Sequence, residues 1–404
     1  MLSNLPDGLK NDAAFDPSTS IDQVANFIDR IKENPKGQAQ ALIPLLSEQN
    51  PVYRDRSAGE MVRMRGYTMA TLELTGLPED ALPYILESLE SEFHPYLVAA
   101  AARSLRGMER PHPQIAPFLV KAIYNIWGGD NPVSFDSFHV KWPQKKFSTA
   151  LIEIFKSLAY FGGYAQKVLP DLEHLNQFYT DKFSDAAQVS LIEAIEAIKS
   201  DEQEVETRCC KLPFIQQGIE EHADSDNLSA IPSQLTIQDQ DGTLMKWNQF
   251  FSQKPTVLAF FYTRCGNPRK CTQTIFNLAA IRRQLDQGNL GGEVQIAAIT
   301  YDPKFDTPEA LRSYGNARKF IFDDNSKMLR IPDGFDQVVK AFRLGVNFTG
   351  SQVNAHRIEL FLLNSKGKLA RSFLRIQSEP EQVIDALRPL ISSDHNSLCD
   401  GQCP

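Results

Sequence analysis

The chain has 404 residues, 42% of them hydrophobic and 23% charged, with a formal net charge of −8. That length exceeds one ordinary core and implies two or three domains. The acidic balance argues against a nucleic-acid binder, which would present a basic face. No apolar run approaches the roughly 18 residues of a membrane-spanning helix, and the N-terminus MLSNLPDGLKNDAAF lacks the basic start and apolar core of a secretory signal. The chain is therefore expected to be cytoplasmic or to have lost a leader. Its cysteines fall into three close pairs, Cys209/Cys210, Cys265/Cys271 and Cys399/Cys403. Such clustering points to local redox or metal sites rather than to a disulfide-stapled scaffold.

Residues 1–205 read as helix after helix without convincing strands. Four segments, ALIPLLSEQ, ALPYILESL, IAPFLVKAI and VLPDLEHLN, each carry a proline ahead of apolar residues at helical spacing. Proline is tolerated in a helix's first turn, where its missing N–H has no partner anyway, so Pro44, Pro83, Pro117 and Pro170 mark second helices of helical pairs. The first helices are expected at 61–74, 96–105 and 149–160. This half resembles HEAT-type α-solenoid repeats. Residues 127–144, with Gly-Gly, Asn-Pro and Trp-Pro breakers, form an inserted loop. A solenoid implies a partner-binding surface; a helical prop for the neighbouring domain is the alternative. His94, His112, His139 and His174 show no ligand-like pairing and read as structural or surface residues.

The polar, acidic stretch 206–232 is expected to be a linker. Cys209 and Cys210, with His222 downstream, would suit a soft metal, a strained disulfide, or one buried thiol beside an exposed one.

From residue 233 strands alternate with helices. Segments 235–238 and 244–247 flank Asp241-Gly242, a strong hairpin-turn signal. The continuous apolar run 256–262 reads as a strand buried on both faces. It feeds a loop holding Cys265 and Cys271, and a helix over 272–285 follows. A helix N-terminus and the cations Arg264, Arg269 and Lys270 would favour thiolate, which is both nucleophile and soft-metal ligand. Further strands are expected at 293–301, 320–322, 357–363 and 369–374. Helices are expected after Pro308, capped by Asp306 or Thr307, and at 335–342 and 381–388. Asp302 and Asp306 read as turn and cap residues, or as groups that orient Arg264 or a substrate. The fold class is thus two-domain: an all-α helical repeat over 1–205, then an α/β thioredoxin-like domain over 233–392.

The hairpin TIQDQDGTLMKW, the loop FFYTRCGNPRKC, the segment ITYDPKFDTPEALRSY and the stretch VNAHRIELFLLNSKGKLA occur in the order found in the Sco/SenC family, which this half resembles. The resemblance implies a thioredoxin-like fold, copper bound by Cys265, Cys271 and His356, and a protein partner such as a copper-receiving oxidase or another cuproprotein. It also implies a periplasmic location if a leader has been removed. The family loop usually holds three residues between its cysteines with proline after the second; here five residues intervene and Thr272 follows Cys271. Two thiolates and an imidazole are in any case a soft set suited to Cu(I). A thiol–disulfide oxidoreductase, with Cys265 attacking and Cys271 resolving, needs only the cysteines. An interaction scaffold working through the helical half is the third reading. The segment 393–404, with His395, Cys399 and Cys403, is expected to be a mobile tail, either a tether able to reach the main site or an inert end.

Overall fold

The computed structural model describes residues 15–139, 147–201, 212 and 231–399. The Cys209/Cys210 pair, His222 and Cys403 lie outside the described residues. The chain divides into two compact units, Met1–Lys211 with Asn347–Ala355, and Leu212–Val346 with His356–Pro404.

In the first unit, helices Ile21–Glu33, Ala58–Thr75, Pro95–Ser104, Ala150–Phe161 and Asp185–Ser200 pack in succession as one row. Leu82–Ser91, Ala116–Ile126 and Leu169–Phe178 belong to a second row laid against it. The three expected first helices coincide with members of the first row, except that Leu105 and Thr149 are cap residues just outside theirs. Pro44, Pro83, Pro117 and Pro170 all sit in the first turn of their helical segments, where the backbone loses no hydrogen bond to them. The starts of the first row are sealed by side chains: Ser20 and Ser57 form capping boxes with Gln23 and Glu60, and Thr149 and Ser184 accept from the backbone three residues on. Arg106 joins neighbouring helices by donating to Glu73 at 2.8 Å and to the buried Glu153 at 2.6 Å. The described part of the insertion is loop, as its breakers predict, with only a bridge between Val133 and Ser148.

The second unit is a seven-stranded mixed sheet. Its strands are β1 (Thr236–Asp239), β2 (Leu244–Lys246), β3 (Thr256–Phe261), β4 (Gln295–Thr300), β5 (Ser326–Arg330), β8 (Glu359–Leu363) and β9 (Leu369–Leu374), in the order β2-β1-β5-β4-β3-β8-β9. Strand β3 pairs in parallel with β4 and antiparallel with β8. Every residue of β3 and β4 is buried, as expected for central strands covered on both faces. Helices Gln273–Gln287 and Pro380–Cys399 pack against each other over one face of the core, which includes Val257, Ile275, Leu278, Ile296 and Leu387.

Three expectations change. The apolar run 320–322 is loop; Phe320 and Phe322 pack onto the core as side chains, while the more polar Ser326–Arg330 forms β5 between β1 and β4. A second hairpin, β6 (Val346–Thr349) with β7 (Gln352–His356), precedes β8 and turns at Gly350, whose φ is +60°. The last helix continues to Cys399 rather than ending at 388, so the first part of the expected mobile tail is helical; no glycine interrupts it before Gly401.

Close approach in the helical unit rests on Gly107, where an added Cβ would lie 2.2 Å from the backbone oxygen of Leu72. Gly107→Ala is expected to destabilise that unit by about 1–3 kcal/mol. Denaturant unfolding followed by far-ultraviolet circular dichroism checks it; an unchanged midpoint would mean the backbones separate freely.

Candidate metal centre

The site is assembled where β3 ends. Thr263 follows that strand, and its N–H donates to Asp306 at 3.1 Å, with its hydroxyl and that of Thr300 bonded to the same carboxylate. Asp306 is fully buried and ties the ends of β3 and β4 together. It is not the helix cap; Thr307 is, accepting from Ala310 N at 3.3 Å. Burial pushes the Asp306 carboxyl up, against the hydrogen bonds it accepts. Asp302 orients Arg264, as one sequence reading allows: the two form an ion pair, and the guanidinium stacks 3.8 Å from the centre of the Phe305 ring.

Between the cysteines the five-residue spacing is absorbed in a π-helical turn, Pro268–Thr272, before the α-helix Gln273–Gln287 begins. Such wide turns take up extra residues without breaking the helix and recur at functional sites. Asn267 caps the turn by accepting from Arg269 N at 2.9 Å. Gln377 closes it, donating to the carbonyls of Arg269 and Lys270 at 3.0 and 3.2 Å. The result places Cys271 in the core, 1% exposed, and leaves Cys265 partly exposed at its edge.

His356 is the last residue of β7 and lies 8% exposed. Its Nε2 is 3.4 Å from Cys265 Sγ and 3.5 Å from Cys271 Sγ, and the three donor atoms all lie within 4.8 Å of one another. Nδ1 is 3.0 Å from the Arg357 carbonyl. A carbonyl only accepts, so Nδ1 carries the proton and, in the neutral ring, Nε2 turns its lone pair to the sulfurs. Lys270 Nζ donates to the His356 carbonyl at 3.0 Å, linking the cysteine turn to the histidine. Tyr262 and Tyr301 rings flank the imidazole at 5.5 and 5.4 Å.

The two thiols are unequal. A hydrogen bond from the Cys271 thiol holds Cys265 well below the ordinary thiol range, and burial opposes it. Burial first, and then the neighbouring Cys265, pushes Cys271 well above that range. Of the three cations singled out in the sequence, Lys270 acts on Cys271, whereas Arg264 is committed to Asp302 and Phe305. Lys270, buried despite its charge, was visible only as one of these cations. Nothing in the sequence pattern marks its reach across to residue 356, because that contact depends on the π-turn.

Residues 223–392 match the family model SCO1/SenC. No curated protein matches the chain. Among solved structures it is similar to a SCO1/SenC family lipoprotein from Bacillus anthracis strain Ames, at 24% identity over 38% of this chain and 91% of that one, with a TM-score of 0.34. It is also similar to Bradyrhizobium japonicum ScoI with copper bound, at 22% identity over 38% and 96%, TM-score 0.32. Yeast Sco1 with copper bound is similar at 20% identity over 39% and 87%, TM-score 0.32.

In the metal-free, reduced protein, iodoacetamide is expected to label Cys265 and spare Cys271. A depressed pKa leaves the thiolate present above that folded value, so the Cys265 rate should fall little from pH 8 to pH 6, where a thiol near pKa 8.5 slows by almost two orders of magnitude, roughly 80-fold. Peptide mapping after timed alkylation reads both quantities, and equal labelling of the two cysteines would contradict the asymmetry.

Proposed function

We propose that this SCO1/SenC-type domain binds copper, held as Cu(I) by Cys265, Cys271 and His356, as cargo to be handed to a partner cuproprotein such as an oxidase. The observation that carries the reading is the convergence of two sulfurs and a pre-oriented imidazole nitrogen from two separate parts of the chain. The donors fit such an ion. Metal–sulfur and metal–nitrogen bonds of about 2.3 and 2.0 Å would separate sulfur from nitrogen by about 3.5–3.8 Å in tetrahedral or trigonal arrangements, and the separations are 3.4 and 3.5 Å. Soft thiolates with one imidazole favour Cu(I) over harder cations. The five-residue loop is compatible with this because the π-turn, not the sulfur positions, takes up its length. In this reading the helical half offers the surface on which a protein partner is recognised.

The unequal thiols favour a second reading, thiol–disulfide exchange. Cys265 thiolate would attack a substrate disulfide, giving a mixed disulfide and releasing one substrate thiolate. Cys271, once deprotonated, would attack the Cys265 sulfur, releasing the second thiolate and leaving Cys265–Cys271 oxidised while the substrate gains two electrons. The same oxidation would remove two of the three copper donors, so cysteine redox would gate the metal.

Protein purified without chelator is expected to hold about one equivalent of Cu(I). His356→Ala should weaken binding by about 100-fold or more while its cysteines still form a disulfide. Competition against a chromogenic Cu(I) chelator measures the first, thiol titration the second. Full copper retention in the Cys265→Ser/Cys271→Ser/His356→Ala protein would sink the copper reading, and rapid insulin disulfide reduction by copper-free wild type would favour the exchange reading.

A further inference from the structure

Behind the imidazole lies a second, fully enclosed polar cluster. Glu359 is 0% and Arg357 2% exposed. One carboxylate oxygen of Glu359 accepts from Arg357 Nε at 2.7 Å and from Gly345 N at 2.8 Å; the other accepts from the Tyr301 hydroxyl. Arg357 is stitched to the same loop from its backbone and its side chain, N–H to the Gly345 carbonyl at 2.8 Å and Nη2 to the Arg343 carbonyl at 2.8 Å. Residue 357 is therefore held on its amide and its guanidinium, and its carbonyl faces His356 Nδ1.

An enclosed ion pair is weak evidence for stability, since apolar residues of similar volume usually serve as well. Its value lies in orientation. The Gly345 carbonyl holds the Arg357 amide, but the pair is what holds the Arg357 side chain; without it the Arg357 carbonyl would lose that restraint, and the ring would be freer to exchange its proton between its two nitrogens. A proton on Nε2 would turn a donor hydrogen, not a lone pair, toward the sulfurs.

We propose that the Glu359–Arg357 pair is the positioning unit of the site: through the Arg357 carbonyl it sets the tautomer of His356 and so keeps Nε2 available to a Cu(I) ion shared with Cys265 and Cys271. This rests on the copper reading for the ion, but its first consequence, the tautomer, does not need metal.

The test uses the full chain. Two variants are compared with wild type: Glu359→Gln, and Tyr301→Phe/Arg357→Met/Glu359→Leu, which removes both charges together so that neither is stranded. Tyr301→Phe alone, which keeps the pair, is the conservative control. Long-range nitrogen-15 NMR of the His356 ring in metal-free, reduced protein reads the tautomer, chelator competition reads Cu(I) affinity, and near-ultraviolet circular dichroism checks folding. Wild type and the control should hold the proton on Nδ1. The folded variants should show mixed tautomers and bind Cu(I) about 10- to 100-fold more weakly. A folded variant that keeps the Nδ1–H tautomer and undiminished affinity would overturn the proposal. If wild type binds no copper yet the variants lose the tautomer, the copper reading fails while the positioning role stands.

Discussion

One hydrogen bond, from His356 Nδ1 to the carbonyl of Arg357, decides what the site can be. It assigns the ring proton to the side away from the sulfurs and leaves a lone pair between them. Without it, the same three residues would be a thiol pair beside a histidine of undetermined tautomer. With it they form a converged set of two sulfurs and an oriented ring nitrogen, which would leave little ordering to be done if the proposed ion binds there. The surroundings follow from the same constraint. Lys270 holds the main chain of His356, the tyrosines wall its ring, and Asp306 anchors the start of the cysteine loop.

Much of this was legible in the sequence, for reasons that differ by element. The run Thr256–Phe261 announces a central strand because both faces are apolar and β-branched or aromatic residues dominate. Thr307-Pro308 announces a helix start because the hydroxyl caps and proline needs no donor there. The motifs around Cys265, Cys271 and His356 point to the family whose model matches residues 223–392. The helical half was legible through its first-turn prolines. Other features escaped because tertiary context overrode local pattern. Phe320 and Phe322 look like strand residues but serve the core from a loop, while Lys327 and Arg330 in β5 look like surface positions yet sit in an interior strand of the sheet. Lys327 is accommodated there by the buried Asp239, 3.0 Å away, a pairing across 88 residues that no local window reveals.

The cysteine spacing shows how an apparent departure can be neutral for geometry. Counted along the chain, two additional residues should push the sulfurs apart. Wound into a π-turn, they change the width of one helical turn instead, and Gln377 ties the widened turn down. The added length also creates the position from which Lys270 reaches His356. Loop length and site geometry are thus separable, while the residue after the histidine, Arg357, is held by the loop at 343–345 and by the carboxylate of Glu359.

The interior position of Thr256–Phe261 has a further bearing. Six uncharged residues without proline, most of them β-branched or aromatic, are the kind of segment that stacks into cross-β fibrils when exposed. Here the segment lies between β4 and β8, while the sheet's outer strands, β2 and β9, carry Lys246 and Arg371, charges that discourage edge-to-edge pairing. The cysteine loop begins only beyond the end of β3, so under either proposed reading a change at the two cysteines need disturb only the segment after that strand, and this fibril-prone ribbon stays covered.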